Sequence, residues 1–520
     1  MFRKVLIANR GEIARRVIAA CRELGIRTVA VYSEADADAP FVAEADEAYL
    51  LGDAPASQSY LAIDKILTVA QQAGVDAIHP GYGFLAENAD FAQRCQQAGI
   101  TFVGPDSAVI RRLGDKGEAK RLAERAGVPI LPGFIPQKPL TPDQNFFLQV
   151  ATTRQAAPTQ RKKFCQLLQK AQQIGFPLLL KAVAGGGGKG MRIVEAESEF
   201  LHAAESASRE AESAFGDPRL MLERYLPRPR HIEVQILADQ HGKVLHLYER
   251  ECSIQRRYQK IIEESPSPAL DAATRTAITE AAVRIAQAVG YTNAGTVEFL
   301  LEETAEGARF YFMEVNTRLQ VEHPVTEMVT GLDLVQWQLR IAMGEALPFE
   351  QHDILSHGHA IEARLYAEDP GNDFAPSLGR LEVWHTPQLP GVRIDSGVAR
   401  GAVITHHYDP MLAKVIAWGE TREHARRRLL HALQQTAVLG VRTNLALLIE
   451  VLAHPDFQAG KLHTRFLHDH PELMQAAAEP PTEVLLALAM LASRTAARPS
   501  ATVQPTLPNI WEQLGHWRIE

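Results

Sequence analysis

The run Glu314-Val315-Asn316-Thr317-Arg318-Leu319-Gln320-Val321-Glu322-His323-Pro324-Val325-Thr326-Glu327 crowds carboxylates, amides and a guanidinium into one short stretch. It follows Ala308-Arg309-Phe310-Tyr311-Phe312-Met313, which reads as a strand turning continuously apolar. Alternate side chains of a strand point to opposite faces. Glu314, Asn316 and Arg318 therefore share a face, and irregular backbone beyond them brings in Gln320 and Glu322. Carboxylate and amide oxygens on one rigid surface suit Mg²⁺, a hard cation that usually keeps substrate phosphates as partners. Arg318 adds a planar fork able to grip an anion by two hydrogen bonds. An exposed charged loop would explain the charges but not the apolar strand that leads into them.

Four other groups of residues invite chemistry. Gly185-Gly186-Gly187-Gly188-Lys189-Gly190 lets backbone N–H groups approach a phosphate closely, yet lacks the GxxxxGK[ST] spacing of a P-loop. It reads as a hairpin tip closing over a nucleotide or as a flexible hairpin without ligand, and nearby Lys181 favours phosphate. In Glu251-Cys252-Ser253-Ile254-Gln255-Arg256-Arg257-Tyr258-Gln259-Lys260, the lysine and the two arginines would neutralise an anion, or the arginines would serve in structural ion pairs. Cys252, without an adjacent histidine, reads as a packed side chain. His79-Pro80-Gly81-Tyr82-Gly83-Phe84 makes a rigid turn after a strand, either walling a ligand site or simply connecting elements. Glu298 is a lone charge within Thr296-Val297-Glu298-Phe299-Leu300 and needs a partner there: a metal shared with Glu314, or a salt bridge to an arginine.

The elements that must position these groups begin with a strand over 4–8, a helix over 11–24 with Gly25 at its C-terminal cap, and a strand over 28–32. Strand and helix patterns then alternate, as a doubly wound parallel sheet requires, although no GxGxxG fingerprint is present. The stretch from 131 to 170 is punctured by prolines and reads as a surface insertion leading into a helix through Gln173. The tail reads as linker over 476–481, helix over 482–493 and linker again over 496–508. A chain of 520 residues with 46% hydrophobic and 22% charged residues has ample core for several domains. Its net charge of -8 argues against general nucleic-acid binding. The scattered Cys21, Cys95, Cys165 and Cys252 form neither a zinc site nor a disulfide framework, and point to a reduced, cytoplasmic setting. No stretch approaches the roughly 18 apolar residues of a membrane helix.

These segments, in this order, resemble the biotin carboxylase component of biotin-dependent carboxylases, a branch of the ATP-grasp ligases. The resemblance rests on Leu6 to Ala14, His79 to Asn88, the glycine run, Pro229 to Glu233, Cys252 to Lys260 and Glu314 to Glu327, and covers roughly residues 1–470. Glu362 to Pro370, His406 to Lys414 and the tail from Trp511 to Trp517 look most like α subunits of acyl-CoA carboxylases of the methylcrotonyl-CoA and geranyl-CoA type. The fold implied is α/β: a doubly wound parallel-sheet domain over 1–113, a mobile ATP-grasp lid over 114–225 with an insertion near 134–170, and a catalytic domain over 226–350. A C-terminal α+β domain follows over 351–471, then a linker and the start of a subunit-contact domain over 472–520.

The activity implied is ATP-dependent carboxylation of biotin by bicarbonate, with Mg²⁺ or Mn²⁺ as cofactor and biotin supplied by a carrier protein or domain. Carried over, Lys116, Lys181, Glu223, Leu226, His231 and Gln255 hold ATP, and Gly185, Gly186, Gly187 and Gly188 close over its phosphates. Glu298, Glu314 and Asn316 bind the metal. Lys260, Arg318, Gln320 and Val321 position bicarbonate, and Glu322 deprotonates it. Arg364 stabilises the biotin enolate, with Tyr82 beside the biotin. Tyr258 departs from the histidine common in the family, and the proline-rich insertion is longer than usual. The implied partners are a biotin carboxyl carrier and a carboxyltransferase β subunit, in a homodimer or hetero-oligomer. No Ala-Met-Lys-Met-like attachment site occurs, so the carrier is expected to be another chain or a part beyond Glu520. Alternatives are the biotin carboxylase of an acetyl-CoA, propionyl-CoA, pyruvate or urea carboxylase, a carbamoyl-phosphate-type ligase, and an inactive nucleotide-binding regulatory subunit.

Overall fold

Strands β1 (Lys4–Ile7), β2 (Arg27–Ser33), β3 (Glu47–Gly52), β4 (Ala77–His79) and β5 (Thr101–Phe102) pair in parallel in the order β3-β2-β1-β4-β5. Helices cover both faces of this sheet, which explains why Val5, Leu6 and Ile7 of β1 are all apolar rather than alternating. Val5 and Ile7 pack with helix α1 (Gly11–Glu23), whereas Leu6 packs on the other side with Ile66 and Leu67. The expected doubly wound opening is thus present, and Gly25, at φ 70°, takes the left-handed position that ends α1.

The computed structural model describes residues 1–134, 167–183, 191–217 and 219–474, together with 486 and 490. The glycine run Gly185–Gly188, most of the proline-rich insertion and nearly all of the tail therefore lie outside the described residues. Both arms of the expected glycine hairpin are described: β7 (Leu178–Ala182) pairs antiparallel with β8 (Arg192–Val194). With β6 (Gly133–Phe134) and β9 (Leu220–Arg224) they form a four-stranded sheet, order β6-β9-β7-β8. Helix Glu197–Phe215 backs it through Phe200, Ala204, Ala207 and Ala211.

The largest sheet has eight strands. It runs β14 (Gly307–Asn316), β13 (Asn293–Thr304), β10 (Arg230–Ala238), β11 (Val244–Arg256), β12 (Gln259–Ser265), β15 (His359–Tyr366), then strands Met411–Gly419 and Val392–Ser396. The sheet is continuous across the expected boundary near residue 350, because β12 pairs with β15 from Ile262↔Ala363 to Ser265↔Ala360. Helix Ala272–Val289 packs its apolar face on β10 and β13, and helix Arg422–Gln434 packs on β15 and Met411–Gly419. Helix Lys116–Arg125, placed by sequence in the lid segment, shares the core of this large sheet through Ala119, Leu122 and Ala123. Arg257 and Tyr258, both at positive φ, make the two-residue turn between β11 and β12. Among the described residues no helix is long and apolar enough to cross a membrane.

Candidate active site

Register alone brings a row of charges onto one face of the large sheet. Glu314 lies opposite Glu298, Glu298 opposite Glu233, and Glu233 opposite Arg250, on β14, β13, β10 and β11. Asn316, two residues beyond Glu314, takes the same face opposite Thr296. The expected sharing of a face by Glu314 and Asn316 follows directly. Arg250 is fully buried and ties the row together, donating to Gln235 Oε1 at 2.8 Å and Thr326 Oγ1 at 2.9 Å while pairing with Glu233.

The chain leaves β14 at Asn316, crosses a loop, and enters helix His323–Thr330, whose first turn carries Pro324. Glu322 ends that loop fully buried. Its Oε1 accepts from Lys260 Nζ at 2.6 Å and its Oε2 from Arg364 Nη2 at 2.8 Å. Burial favours the neutral acid, but Lys260, Arg364 and Arg250 overcome it and hold Glu322 well below the usual carboxylate range. Lys260 is the counterpart: burial opposes its charge, and Glu233, Glu298 and Glu322 hold it well above the usual ammonium range. Glu298 receives Lys260 at 2.8 Å, so its partner is a lysine rather than the arginine considered from sequence.

Arg318 sits over this cluster. Its Nη1 donates to Gln320 Oε1 at 2.9 Å and its Nη2 to Asn316 Oδ1 at 3.3 Å, while Gln320 Nε2 reaches Glu298 Oε1 at 3.2 Å. Its Nε donates to Glu87 Oε2 at 2.9 Å, and Glu87 Oε1 also accepts the Thr317 N–H at 3.0 Å. Glu87, which sequence reasoning did not single out, thereby pins the loop to the N-terminal sheet domain. Tyr82, in the same connection after β4, buries a hydroxyl that has no hydrogen-bond partner among the described residues. The Val321 carbonyl accepts from Lys414 Nζ at 2.8 Å.

A second set of cations lies beside the first. Lys116 Nζ meets Glu314 Oε2 at 2.9 Å, Lys181 Nζ meets Glu223 Oε2 at 2.6 Å, and buried Lys120 also touches Glu223. Burial, with Lys116 nearby, pulls the Lys181 ammonium down to about 8, Glu314 opposing. Lys120 escaped the sequence reading, although its position one helical turn after Lys116 puts both on one face. Leu226 is buried, and His231 Nδ1 lies 2.9 Å from Gln255 Nε2 while its Nε2 lies 3.3 Å from Glu298. These groups offer three lysines and the apolar side chain of Leu226 to a nucleotide and its phosphates.

The oxygen donors suit Mg²⁺. Glu298 and Glu314 face each other across paired strands, and two such carboxylates need positive charge near both, which Lys260 and Lys116 supply here. Asn316 adds an amide whose buried Nδ2 has no hydrogen-bond partner among the described residues. Cys252 is buried, and desolvation pushes its thiol far above its usual range, as a packed cysteine requires. Arg256 pairs with buried Glu368 as a structural ion pair, whereas Arg257 pairs with exposed Asp373 in a solvated one.

Known proteins are similar to this chain in sequence and fold. The family described as "Biotin carboxylase, N-terminal domain" matches residues 1–110 and "Biotin carboxylase C-terminal domain" residues 362–469. Between them, "Carbamoyl-phosphate synthase L chain, ATP binding domain" matches residues 148–350. The biotin carboxylase of Halalkalibacterium halodurans is 50% identical over 90% of this chain and 98% of its own length. The mitochondrial methylcrotonoyl-CoA carboxylase subunit alpha of Dictyostelium discoideum is 46% identical over 99% of this chain. The chain spans 70% of that relative and 62% of the rat subunit of the same name. The biotin carboxylase domain dimer of Hydrogenobacter thermophilus 2-oxoglutarate carboxylase, solved with MgADP, ADP and bicarbonate, superposes with a TM-score of 0.84. It is 45% identical, over 92% of this chain and 100% of that one. The ordered charges on one sheet and the three consecutive matches lead to the same place: this chain belongs to the biotin carboxylase family of ATP-dependent ligases.

Proposed function

We propose that this chain carboxylates biotin on a carrier protein or domain, using ATP and bicarbonate, as the first half-reaction of an acyl-CoA carboxylase of the methylcrotonyl-CoA or geranyl-CoA type. The observation that carries the reading is Glu322: a buried carboxylate kept ionised between Lys260 and Arg364. Lys116, Lys181, Glu223, Leu226, His231 and Gln255 bind ATP. Mg²⁺, held by Glu298, Glu314 and Asn316, neutralises phosphate charge when bound. Lys260, Arg318, Gln320 and Val321 orient bicarbonate, and Glu322 accepts its proton. The freed oxygen attacks the γ-phosphorus and ADP leaves, giving carboxyphosphate. Positioning and charge neutralisation are the main demands of such a transfer. Carboxyphosphate then splits into CO₂ and phosphate beside biotin, and the phosphate takes the biotin ureido N–H proton. The Arg364 guanidinium stabilises the resulting enolate with Tyr82 alongside, and the deprotonated nitrogen attacks CO₂.

The assay is bicarbonate-dependent ATP hydrolysis that rises with added free biotin. Glu322→Gln and Arg364→Ala are each expected to lower that turnover by at least about 100-fold; wild-type-like turnover in both would sink the residue assignment. For the acceptor, the likeness to the Dictyostelium α subunit extends over 99% of this chain, against 90% for the bacterial biotin carboxylase, which supports the acyl-CoA reading. Reconstitution with its carboxyltransferase β subunit and carrier, followed by scoring methylcrotonyl-CoA and geranyl-CoA against acetyl-CoA, propionyl-CoA and pyruvate, tests it. Carboxylation of one of the last three alone would overturn that choice.

A further inference from the structure

Lys414 is among the largest fully buried side chains, and none of the steps above uses it. It lies on strand Met411–Gly419 directly opposite Arg364 on β15 and directly opposite Asp395 on strand Val392–Ser396. Two cations side by side in a sheet repel unless anions stand close. Glu12 of α1, 3.3 Å away, and Asp395, 3.7 Å away, supply that charge to Lys414. Counter-charge alone would explain why a buried ammonium is tolerated. It does not explain where the ammonium aims its best hydrogen bond, 2.8 Å to the Val321 carbonyl.

That carbonyl belongs to the peptide joining Val321 to Glu322, whose planarity makes its oxygen a handle on the Glu322 N–H and Cα. Arg364 holds the same residue at its other end, through Oε2. The two ends of one rung, Arg364 and Lys414, thus grip Glu322 by side chain and by main chain. We propose that Lys414 is a positioning residue for bicarbonate deprotonation, fixing the Val321–Glu322 peptide so that bicarbonate meets the base in reacting geometry. The assignment rests on Glu322 being that base. Glu12 balances the charge of the lysine from α1 without touching the Val321–Glu322 peptide, and among the described residues its buried carboxylate has no hydrogen-bond partner.

Steady-state kinetics of the full chain with free biotin tests this. Lys414→Met is expected to raise the KM for bicarbonate roughly tenfold while the KM for MgATP stays within about twofold. Because that variant strands Glu12, the paired variant Lys414→Met/Glu12→Gln, which removes both charges, keeps the test open if the single variant does not fold, and is expected to show the same split. Glu12→Gln alone, with Lys414 still on the carbonyl, is expected to keep the bicarbonate KM within about twofold of wild type. A fall in kcat or thermal stability with the bicarbonate KM unchanged in the paired variant makes Lys414 a structural cation and overturns the assignment. Turnover that survives Glu322→Gln in the same assay overturns the reading of the base instead.

Discussion

Individual residues of this molecule are set by charges they meet far along the chain. Glu264 shows the scale of the effect away from the reacting centre. It receives Arg422 Nε at 2.7 Å and Nη2 at 2.9 Å and lies 2.6 Å from His359 Nε2. Burial opposes its ionisation, yet His359 and Arg422 pull its pKa from 4.5 to about 2. A depressed carboxylate contributes stability that is complete above the unfolded value of about 4.5 and fades as pH falls towards 2. Glu264→Gln is therefore expected to cost roughly 3 kcal/mol near neutral pH and to flatten the acid limb of stability between those values. Denaturant midpoints measured across pH check it; parallel acid limbs in variant and wild type would refute it. The same dependence on distant partners decides which site residues the sequence could reveal. Glu314, Asn316, Arg318, Gln320 and Glu322 are neighbours in the chain, so strand alternation and hard-oxygen chemistry found them. Glu233, Arg250 and Glu87 become visible only when strands or domains pair, since nothing local distinguishes them from ordinary charged residues.

At the scale of elements, the strands and helices of the opening domain were readable because their apolar periods are clean. The β11–β12 turn was not. Arg257-Tyr258 lacks the Asn-Gly chemistry that announces a two-residue hairpin, yet both residues take positive φ, 47° and 65°. A left-handed conformation costs a non-glycine residue about 1–2 kcal/mol, and Tyr258, 57% exposed, recovers little of it by packing. Tyr258→Gly is expected to raise unfolding free energy by about 1 kcal/mol with an unchanged denaturant slope. A loss of stability would mean that the ring makes contacts worth more than the strain. The packing place of helix Lys116–Arg125 was unreadable for a related reason. Its apolar face fits either sheet, and only the tertiary structure shows it against β14, where Lys116 reaches Glu314.

For the whole molecule, three segments distant in sequence are locked at one buried carboxylate. Glu327, on the helix that begins after the base, receives Arg16 of α1 at 2.9 Å and Arg393 of strand Val392–Ser396 at 2.6 Å. Removing one member of such a cluster leaves buried charge uncompensated, typically at about 3–5 kcal/mol. Glu327→Gln is expected to destabilise the chain by about 3 kcal/mol, read from equilibrium unfolding; a change under about 1 kcal/mol would show that the cluster is solvated. The eight-stranded sheet carries a different consequence. Lys260 and Arg364 stand on β12 and β15, which are hydrogen-bonded neighbours, so their backbones keep a strand-to-strand spacing of about 4.8 Å whatever the lid does. On the roles proposed above, the bicarbonate station and the biotin station cannot drift apart between turnovers. Labile CO₂ then has only a short, invariant hop to make, and a visiting biotin must be delivered to a fixed address instead of being met halfway.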